Sequence, residues 1–336
     1  MLMPLGLDRW ETWTILVLAI ASGLDYLIGD PWGWPHPVQA IGWLISQSTQ
    51  LTLKWVSDAT WRKVAGVGLG MGTIASTGLI AAGIIILAQQ LHPWLGLIVE
   101  IILLASCFAG RSLRAAAEDV LQPLISGDIE RSRQRLSLYV GRDTENLSQT
   151  EILRAILETV SENAIDGVMA PLFYAIVGSF IPGIGPVPLT LAYKAASTLD
   201  SMVGYREEPY QDIGWFSAKC EDWLTWLPCR LTVITIGLLS GNLRTIWQQC
   251  QADATKDPSP NAGWSECAYA VTLGVQLGGT NTYRGAIKHK PLLGQPIDPI
   301  SPEKIQQAWQ LTRHSFLTWL AIACLCAIGI RLFLLI

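Results

Sequence analysis

Glu158, Glu162 and Asp166 stand four residues apart in the run Arg154-Ala-Ile-Leu-Glu158-Thr-Val-Ser-Glu162-Asn163-Ala-Ile-Asp166, so on a continuous helix they share one face. Like charges at that spacing repel by about 0.2–0.5 kcal/mol per pair, and helix chemistry does not ask for them. A bound cation, or a phosphate carrying a metal ion, removes the repulsion; the bland alternative is a solvated acidic face. Position argues against the bland reading. The run leads directly into residues 167–193, which hold no Asp, Glu, Lys, Arg or His, and a carboxylate at a membrane edge is costly to keep idle. Polar groups flank it on both sides: Gly141-Arg142-Asp143-Thr144 before it, and Lys194 with Thr198-Leu199-Asp200-Ser201-Met202-Val203-Gly204-Tyr205 after it.

A second constellation lies near the N-terminus, where Gly29-Asp30-Pro31 is followed by Trp34-Pro35-His36-Pro37-Val38. Two prolines stiffen the backbone around His36 and fix the direction of its ring, which makes it a candidate to touch a ligand. Glu221 and Asp222 are adjacent, so on a helix they point about 100° apart and only one can join a given site. The stretches Asp257-Pro258-Ser259-Pro260-Asn261-Ala262-Gly263-Trp264 and Gly278-Gly279-Thr280-Asn281-Thr282-Tyr283-Arg284-Gly285 read as loops.

The elements that must position these groups belong to a membrane protein. Hydrophobic residues make up 50% of the 336 and charged residues only 15%, against about 25% charged in a soluble domain. Residues 64–91 and 167–193 are uncharged and each exceeds the roughly 20 residues a span needs; shorter runs at 12–24, 101–110, 231–243 and 315–330 can span if tilted. Fifteen Trp residues fit interfacial belts. The net charge of −4 gives no field for nucleic acid. Seven cysteines without a Cys-x-x-Cys pair read as reduced core residues. Ala19-Ile20-Ala21 resembles a signal-peptidase site, yet Asp8, Arg9 and Glu11 precede it, so the N-terminus is expected to be retained.

The organisation expected is a single membrane-embedded domain over 1–336, all-α and multi-pass. Residues 39–63 read as an amphipathic interfacial segment. A transmembrane hairpin covers 64–110, its glycines at 66, 68, 70 and 72 forming a close helix-packing face. A polar helical segment follows over 111–166, then a broken or re-entrant membrane segment with a polar motif loop over 167–243, because Pro182-Gly-Ile-Gly185-Pro186-Val-Pro188 interrupts a continuous helix. A soluble segment spans 244–313 and a C-terminal anchor 314–336. Basic residues at both ends of the hairpin place those ends, and the acidic helix, on the cytoplasmic side of a cell (inner) membrane.

Taken together, Gly29-Asp30-Pro31, Trp34-Pro35-His36-Pro37-Val38, Gly141-Arg142-Asp143-Thr144, Glu158 through Gly167, Pro171-Leu172-Phe173-Tyr174, Thr198 through Tyr205 and Ser259-Pro260-Asn261-Ala262-Gly263-Trp264 resemble the adenosylcobinamide-phosphate synthases of cobalamin biosynthesis, from about residue 20 to about residue 295. Ser197 and Glu221 stand where that pattern has Asn and Asp; no charge is lost. The resemblance implies an ATP-dependent carbon–nitrogen ligase that joins (R)-1-amino-2-propanol or its O-phosphate to a propionate of adenosylcobyric acid. ATP with Mg²⁺ is implied for activating the carboxylate. Magnesium takes one or two carboxylates plus phosphate oxygens and water, which Glu158, Glu162 and Asp166 could supply. Lys194, Arg142 or Arg154 could neutralise phosphate oxygens, and His36 or Asp200 could act as base for the amine. Asp30, His36, Arg142, Asp143, Asn163, Tyr205, Asp222 and Asn261 are the substrate-binding candidates. No Gly-x-x-x-x-Gly-Lys-Ser/Thr loop is present, so the nucleotide site is not of the P-loop kind. The partners implied are the corrinoid, the amine, the bilayer, and a second copy or other corrinoid-pathway enzymes. A corrinoid transporter built on the broken segment, and a non-catalytic scaffold, are the rival readings.

Overall fold

The computed structural model describes residues 7–30, 33 and 36–334, which leaves Pro31, Trp34 and Pro35 of the first motif outside the described residues. The chain opens with four helices, α1 (Leu7–Leu27), α2 (Pro37–Trp55), α3 (Ala59–Leu91) and α4 (Pro93–Ala105). A more polar series follows: α5 (Gly110–Ile125), α6 (Ile129–Leu136) and α7 (Gln149–Asn163), the last passing into a π-helical turn at Ala164–Met169. Next come α8 (Ala170–Ser179), α9 (Pro186–Val203), α10 (Trp215–Leu239), α11 (Leu243–Asp253), a 3-10 turn at Ala254–Lys256 and α12 (Ala262–Leu273). A hairpin of β1 (Gln276–Tyr283) and β2 (Ala286–Gly294) precedes the long helix α13 (Pro302–Leu334).

Among the described residues three segments are long and apolar enough to cross a membrane: Ala59–Leu91, Pro93–Ile125 and Pro302–Ile330. The second counts α4 and α5 together with the turn between them. The 33 residues of α3 extend about 50 Å at 1.5 Å per residue, more than the ~30 Å of bilayer hydrocarbon. This is the architecture of a multi-pass helical membrane protein. Residues 167–193, uncharged and long enough to span, do not form one helix. They fold as α8 and α9, packed against each other across a turn at 180–185, with Pro186 at the first position of α9, where its missing N–H costs nothing. The break expected from Pro and Gly is therefore real, and it makes a helical hairpin. Residues 39–63 form α2 and the start of α3; α2 buries Ile41 and Ile45 while Trp43 and Trp55 stay exposed.

Contacts divide the chain into two compact units. The first comprises Met1–Ala109, Ala170–Leu224 and Thr318–Ile336, and the second Gly110–Met169 and Thr225–Leu317. In the first, α3 packs on α2, α4 and α9, and α1 packs on α4 and α8. Only half of the expected glycine face in α3 is used. A Cβ on Gly66 would run into the Ile213 carbonyl and one on Gly70 into the Phe216 ring, whereas Gly68 and Gly72 face open space. In the second unit α7 buries Ile152, Leu153, Ile156, Leu157 and Val160. It packs against α5, α12 and β1, and α12 packs on α11 and the hairpin.

That hairpin corrects the loop reading of residues 278–285. The strands pair antiparallel from Gln276↔Gly294 to Tyr283↔Ala286 around Arg284-Gly285. The glycines at 278 and 279 fall at an irregularity in the register and hide the alternation that marks a strand.

Gly66→Ala is expected to destabilise the protein in detergent by about 1–3 kcal/mol, the cost of overpacking. Gly68→Ala is expected to be neutral or to gain up to about 1 kcal/mol of helix propensity. Thermal unfolding of the two variants checks the difference.

Candidate functional site

Helix α7 is started by a capping box: the N–H of Glu151 donates to Ser148 Oγ at 3.3 Å and the N–H of Ser148 donates to Glu151 Oε2 at 2.7 Å, satisfying two donors that the first turn leaves orphaned. The helix then directs Glu158 inward, where it is almost fully buried. A lone buried carboxylate is prohibitively costly, and this one is surrounded by donors. Arg142 Nη2 contacts Oε2; Arg154, one turn earlier, reaches Oε1 at 3.4 Å; and the N–H of Gly278 donates to Oε1 at 2.9 Å. Arg154 also donates to the carbonyls of Gly278 and Thr280, and both arginines reach Asn281 Oδ1, Arg142 at 3.0 Å and Arg154 at 3.1 Å. Asp143 grips the hairpin tip: its carboxylate accepts from the N–H groups of Arg284 and Gly285, each at 2.8 Å. Arg284, with φ +50, is thus held in a conformation that non-glycine residues rarely adopt.

Behind this clasp lies a second buried group. Glu266 of α12 is fully buried and accepts from Lys290 Nζ of β2 at 3.1 Å. Ser265 Oγ, beside it, donates to the Ser161 carbonyl at 2.5 Å and ties α12 to α7. Burial raises the pKa of Glu266 to about 8, with Glu162 and Glu158 adding to the rise and Lys290 opposing it. Glu162 is likewise raised, by desolvation first and then by Asp257 and Glu158 against the pull of Lys290 and Arg142. For Lys290 burial works against the charged form, but Glu266, Glu162 and Glu158 outweigh it and raise its pKa.

Three further residues highlighted by the sequence sit in the same unit. Asp166 lies in the π-helical turn that follows α7 and is half-buried. Asn163 is exposed and donates to the Thr159 carbonyl at 2.9 Å. Asn261, at the head of α12, is buried; its Oδ1 accepts from Arg230 at 3.3 Å, and that guanidinium lies 4.2 Å from the Trp264 ring centroid.

The other candidates fall in the first unit. His36 caps α2: its Nδ1 accepts from the Val38 N–H at 3.2 Å while Nε2 lies 3.1 Å from Asp30 Oδ1. With an N–H aimed at Nδ1, the proton belongs on Nε2 and is donated to Asp30. Both ring nitrogens are engaged, so His36 in this arrangement is an orienting group and not a free base. Lys194 and Asp30 both lie within electrostatic reach of the buried Cys107. Asp200 is on the last turns of α9, where its carbonyl accepts from the Gly204 N–H at 2.8 Å. Tyr205 donates to the Ser201 carbonyl at 2.8 Å, and Asp222 lies 3.5 Å from Lys219.

A magnesium site made of Glu158, Glu162 and Asp166 does not fit these residues. The oxygens of Glu158 are already claimed by two guanidinium groups and a backbone N–H. Among the described residues no group of three or more His, Cys, Asp or Glu is placed to hold a metal ion. The sequence reading passed over Glu266, Lys290 and Asn281 as site residues. Glu266 carried a usable sign, an isolated acid in the otherwise uncharged Ala-Gly-Trp-Ser-Glu-Cys-Ala-Tyr-Ala-Val; Lys290 and Asn281 become legible only once the hairpin is formed.

Fold and site together define a helical membrane protein whose second unit is built around a buried, charge-paired polar interior. The chain belongs to the CobD/CbiB family, whose model, described as "CobD/Cbib protein", matches residues 18–312. It is 52% identical over 303 residues, 90% of this chain and 89% of the relative, to the "Cobalamin biosynthesis protein CobD" of Synechocystis sp.. It is 41% identical to the "Cobalamin biosynthesis protein CbiB" of Salmonella arizonae over 89% of this chain and 92% of that one. With the "Cobalamin biosynthesis protein CobD" of Citrobacter koseri it shares 37% identity over 93% and 98%. No solved structure matches the chain.

Removing one member of the buried pair strands the other. Glu158→Ala and Arg142→Ala are each expected to lose about 3–5 kcal/mol of stability, whereas Asn163→Ala on the exposed side is expected to stay within about 0.5 kcal/mol. Unfolding of the three variants in detergent measures this.

Proposed function

We propose that the protein is a cobalamin-biosynthesis enzyme that forms an amide between a propionate of adenosylcobyric acid and (R)-1-amino-2-propanol or its O-phosphate, with ATP as cosubstrate. The observation that carries this reading is membership of the CobD/CbiB family over most of the chain; relatives named as cobalamin biosynthesis proteins support the pathway. A free carboxylate does not acylate an amine unaided. In the proposed reaction a propionate oxygen attacks the terminal phosphorus of ATP, giving an acyl phosphate and ADP. The neutral amine then attacks the carbonyl carbon, phosphate leaves with the C–O bonding pair, and the amine sheds a proton. No step is assigned to magnesium; bound with ATP it would take one or two carboxylates plus phosphate oxygens and water.

The residues divide the proposed work. Glu162 near the end of α7 and Asp166 in the π turn after it are proposed to meet substrate. Lys194 on α9 is proposed to neutralise phosphate oxygens and Asp200 to take the proton that the amine sheds, while the Asp30–His36 pair is proposed to order the start of α2. Corrinoids are large and partly apolar, which suits an enzyme embedded in a membrane. The site is proposed to face the cytoplasm, where ATP is available, from the inner membrane.

The α8–α9 hairpin in a membrane chain favours one rival, a corrinoid carrier, because broken helices are a transporter device. The two readings separate by experiment. Glu162→Gln and Asp166→Asn are each expected to lower ligation at least 100-fold while membrane insertion is kept, and vesicles bearing the wild-type protein are expected to show no corrinoid flux. Flux without ATP-dependent product sinks the ligase reading, and full turnover in both variants removes Glu162 and Asp166 from the site.

A further inference from the structure

Once Glu158 is matched by its arginines, the interior of the second unit is left short of positive charge. Glu162 and Glu266 share Lys290, and Asp257 acts on Glu162 from the side. Lys290 donates to one oxygen of Glu266 only; Oε2 of that fully buried carboxylate has no partner. Nearby, Asn281 is 5% exposed, and while its Oδ1 receives both arginines its Nδ2 has no acceptor. The hairpin register sets Asn281 beside Lys290, the partner of Glu266. Gly279 pairs with Lys290 and Asn281 with Lys288, so Lys290 and Asn281 are diagonal neighbours on one face of the ribbon, roughly 7–8 Å apart at the backbone. Gly279, opposite Lys290, contributes no side chain to fill that face.

A buried carboxylate oxygen without a donor and a buried amide N–H without an acceptor are each costly to maintain. A ligand that relieves both must present a cationic N–H and, a few bonds away, an acceptor oxygen. We propose that Glu266 and Asn281 form the seat of a small primary ammonium that carries a neighbouring oxygen, with Glu266 Oε2 accepting from the ammonium and Asn281 Nδ2 donating to the oxygen. A 1,2-amino alcohol and its phosphate ester share this chemistry. The identity of the ligand as the substrate amine rests on the ligase reading, whereas the seat rests on the geometry. The raised pKa of Glu266 agrees with it: burial, Glu162 and Glu158 all disfavour its negative charge and Lys290 alone does not compensate, a deficit that an ammonium fills.

The test is equilibrium binding to the purified full-length protein in detergent, without ATP or corrinoid. The probes are 1-amino-2-propanol, its O-phosphate, 1-propylamine, which lacks the oxygen, and 1,2-propanediol, which lacks the ammonium. The wild-type protein is expected to bind the amino alcohol or its phosphate at least tenfold more tightly than either truncated probe. Glu266→Gln is expected to weaken that binding at least tenfold, and Glu266→Asp to restore part of it. No binding by the wild type, a preference for the diol, or unchanged affinity in a folded Glu266→Gln protein overturns the seat. Should Glu266→Gln not fold, the wild-type probe series decides. The two proposals fail separately: Glu266-dependent amine binding without amide product leaves the seat and removes the ligase, and ligation by Glu266→Gln with an unchanged KM for the amine leaves the ligase and removes the seat.

Discussion

The second unit depends on the burial of one carboxylate. Glu158 sits in a place where an unpaired charge is not tolerated, and its neutralisation requires Arg142, Arg154 and the Gly278 N–H at once. Each of those groups belongs to a different piece of chain: the turn before α7, α7 itself and strand β1. Satisfying Glu158 therefore fixes where α7, the Gly141-Arg142-Asp143-Thr144 turn and the hairpin lie, and Asp143 completes the arrangement by holding the hairpin tip. Buried ion pairs contribute little net stability over an apolar core, but their geometry is demanding. Here that demand positions Lys290 and Asn281 on the face turned toward α7 and α12.

The membrane character and the helical class were legible from composition alone, because low charge and long apolar runs admit few alternatives. The break within residues 167–193 was legible because proline forbids a continuous helix. The site was less so. Four-residue spacing set Glu158, Glu162 and Asp166 on one face, but the π turn at Ala164–Met169, where Asp166 lies, is invisible to a periodicity argument. Spacing also cannot reveal that Glu158 is answered by a guanidinium 16 residues before it and by a backbone N–H 120 residues after it. The hairpin escaped notice because Gly278-Gly279 and the polar residues after them imitate loop chemistry. In α3, the glycine pattern announced close packing, yet the helix uses Gly66 and Gly70 and leaves Gly68 and Gly72 open; which face is buried depends on the partner.

The functional account separates architecture from chemistry. Arg142, Arg154, Glu158 and Asp143 are largely consumed in holding the fold, so their presence in motifs reflects the assembly of the site as much as contact with substrate. The groups with capacity to spare are Glu266 and Asn281 in the interior and Glu162 at its edge. On the ligase proposal, the corrinoid, a large and partly apolar molecule, gives a reason for the protein to be embedded, and the small amine a reason for a compact polar seat.

The most direct measurement is an assay of the purified protein in detergent with adenosylcobyric acid, ATP, magnesium and either 1-amino-2-propanol or its O-phosphate, following the corrinoid by mass. The account predicts a product heavier by the amine less one water, formed only when ATP is present and consumed. Bound corrinoid with no mass change, under conditions where the protein is folded and ATP is supplied, contradicts it.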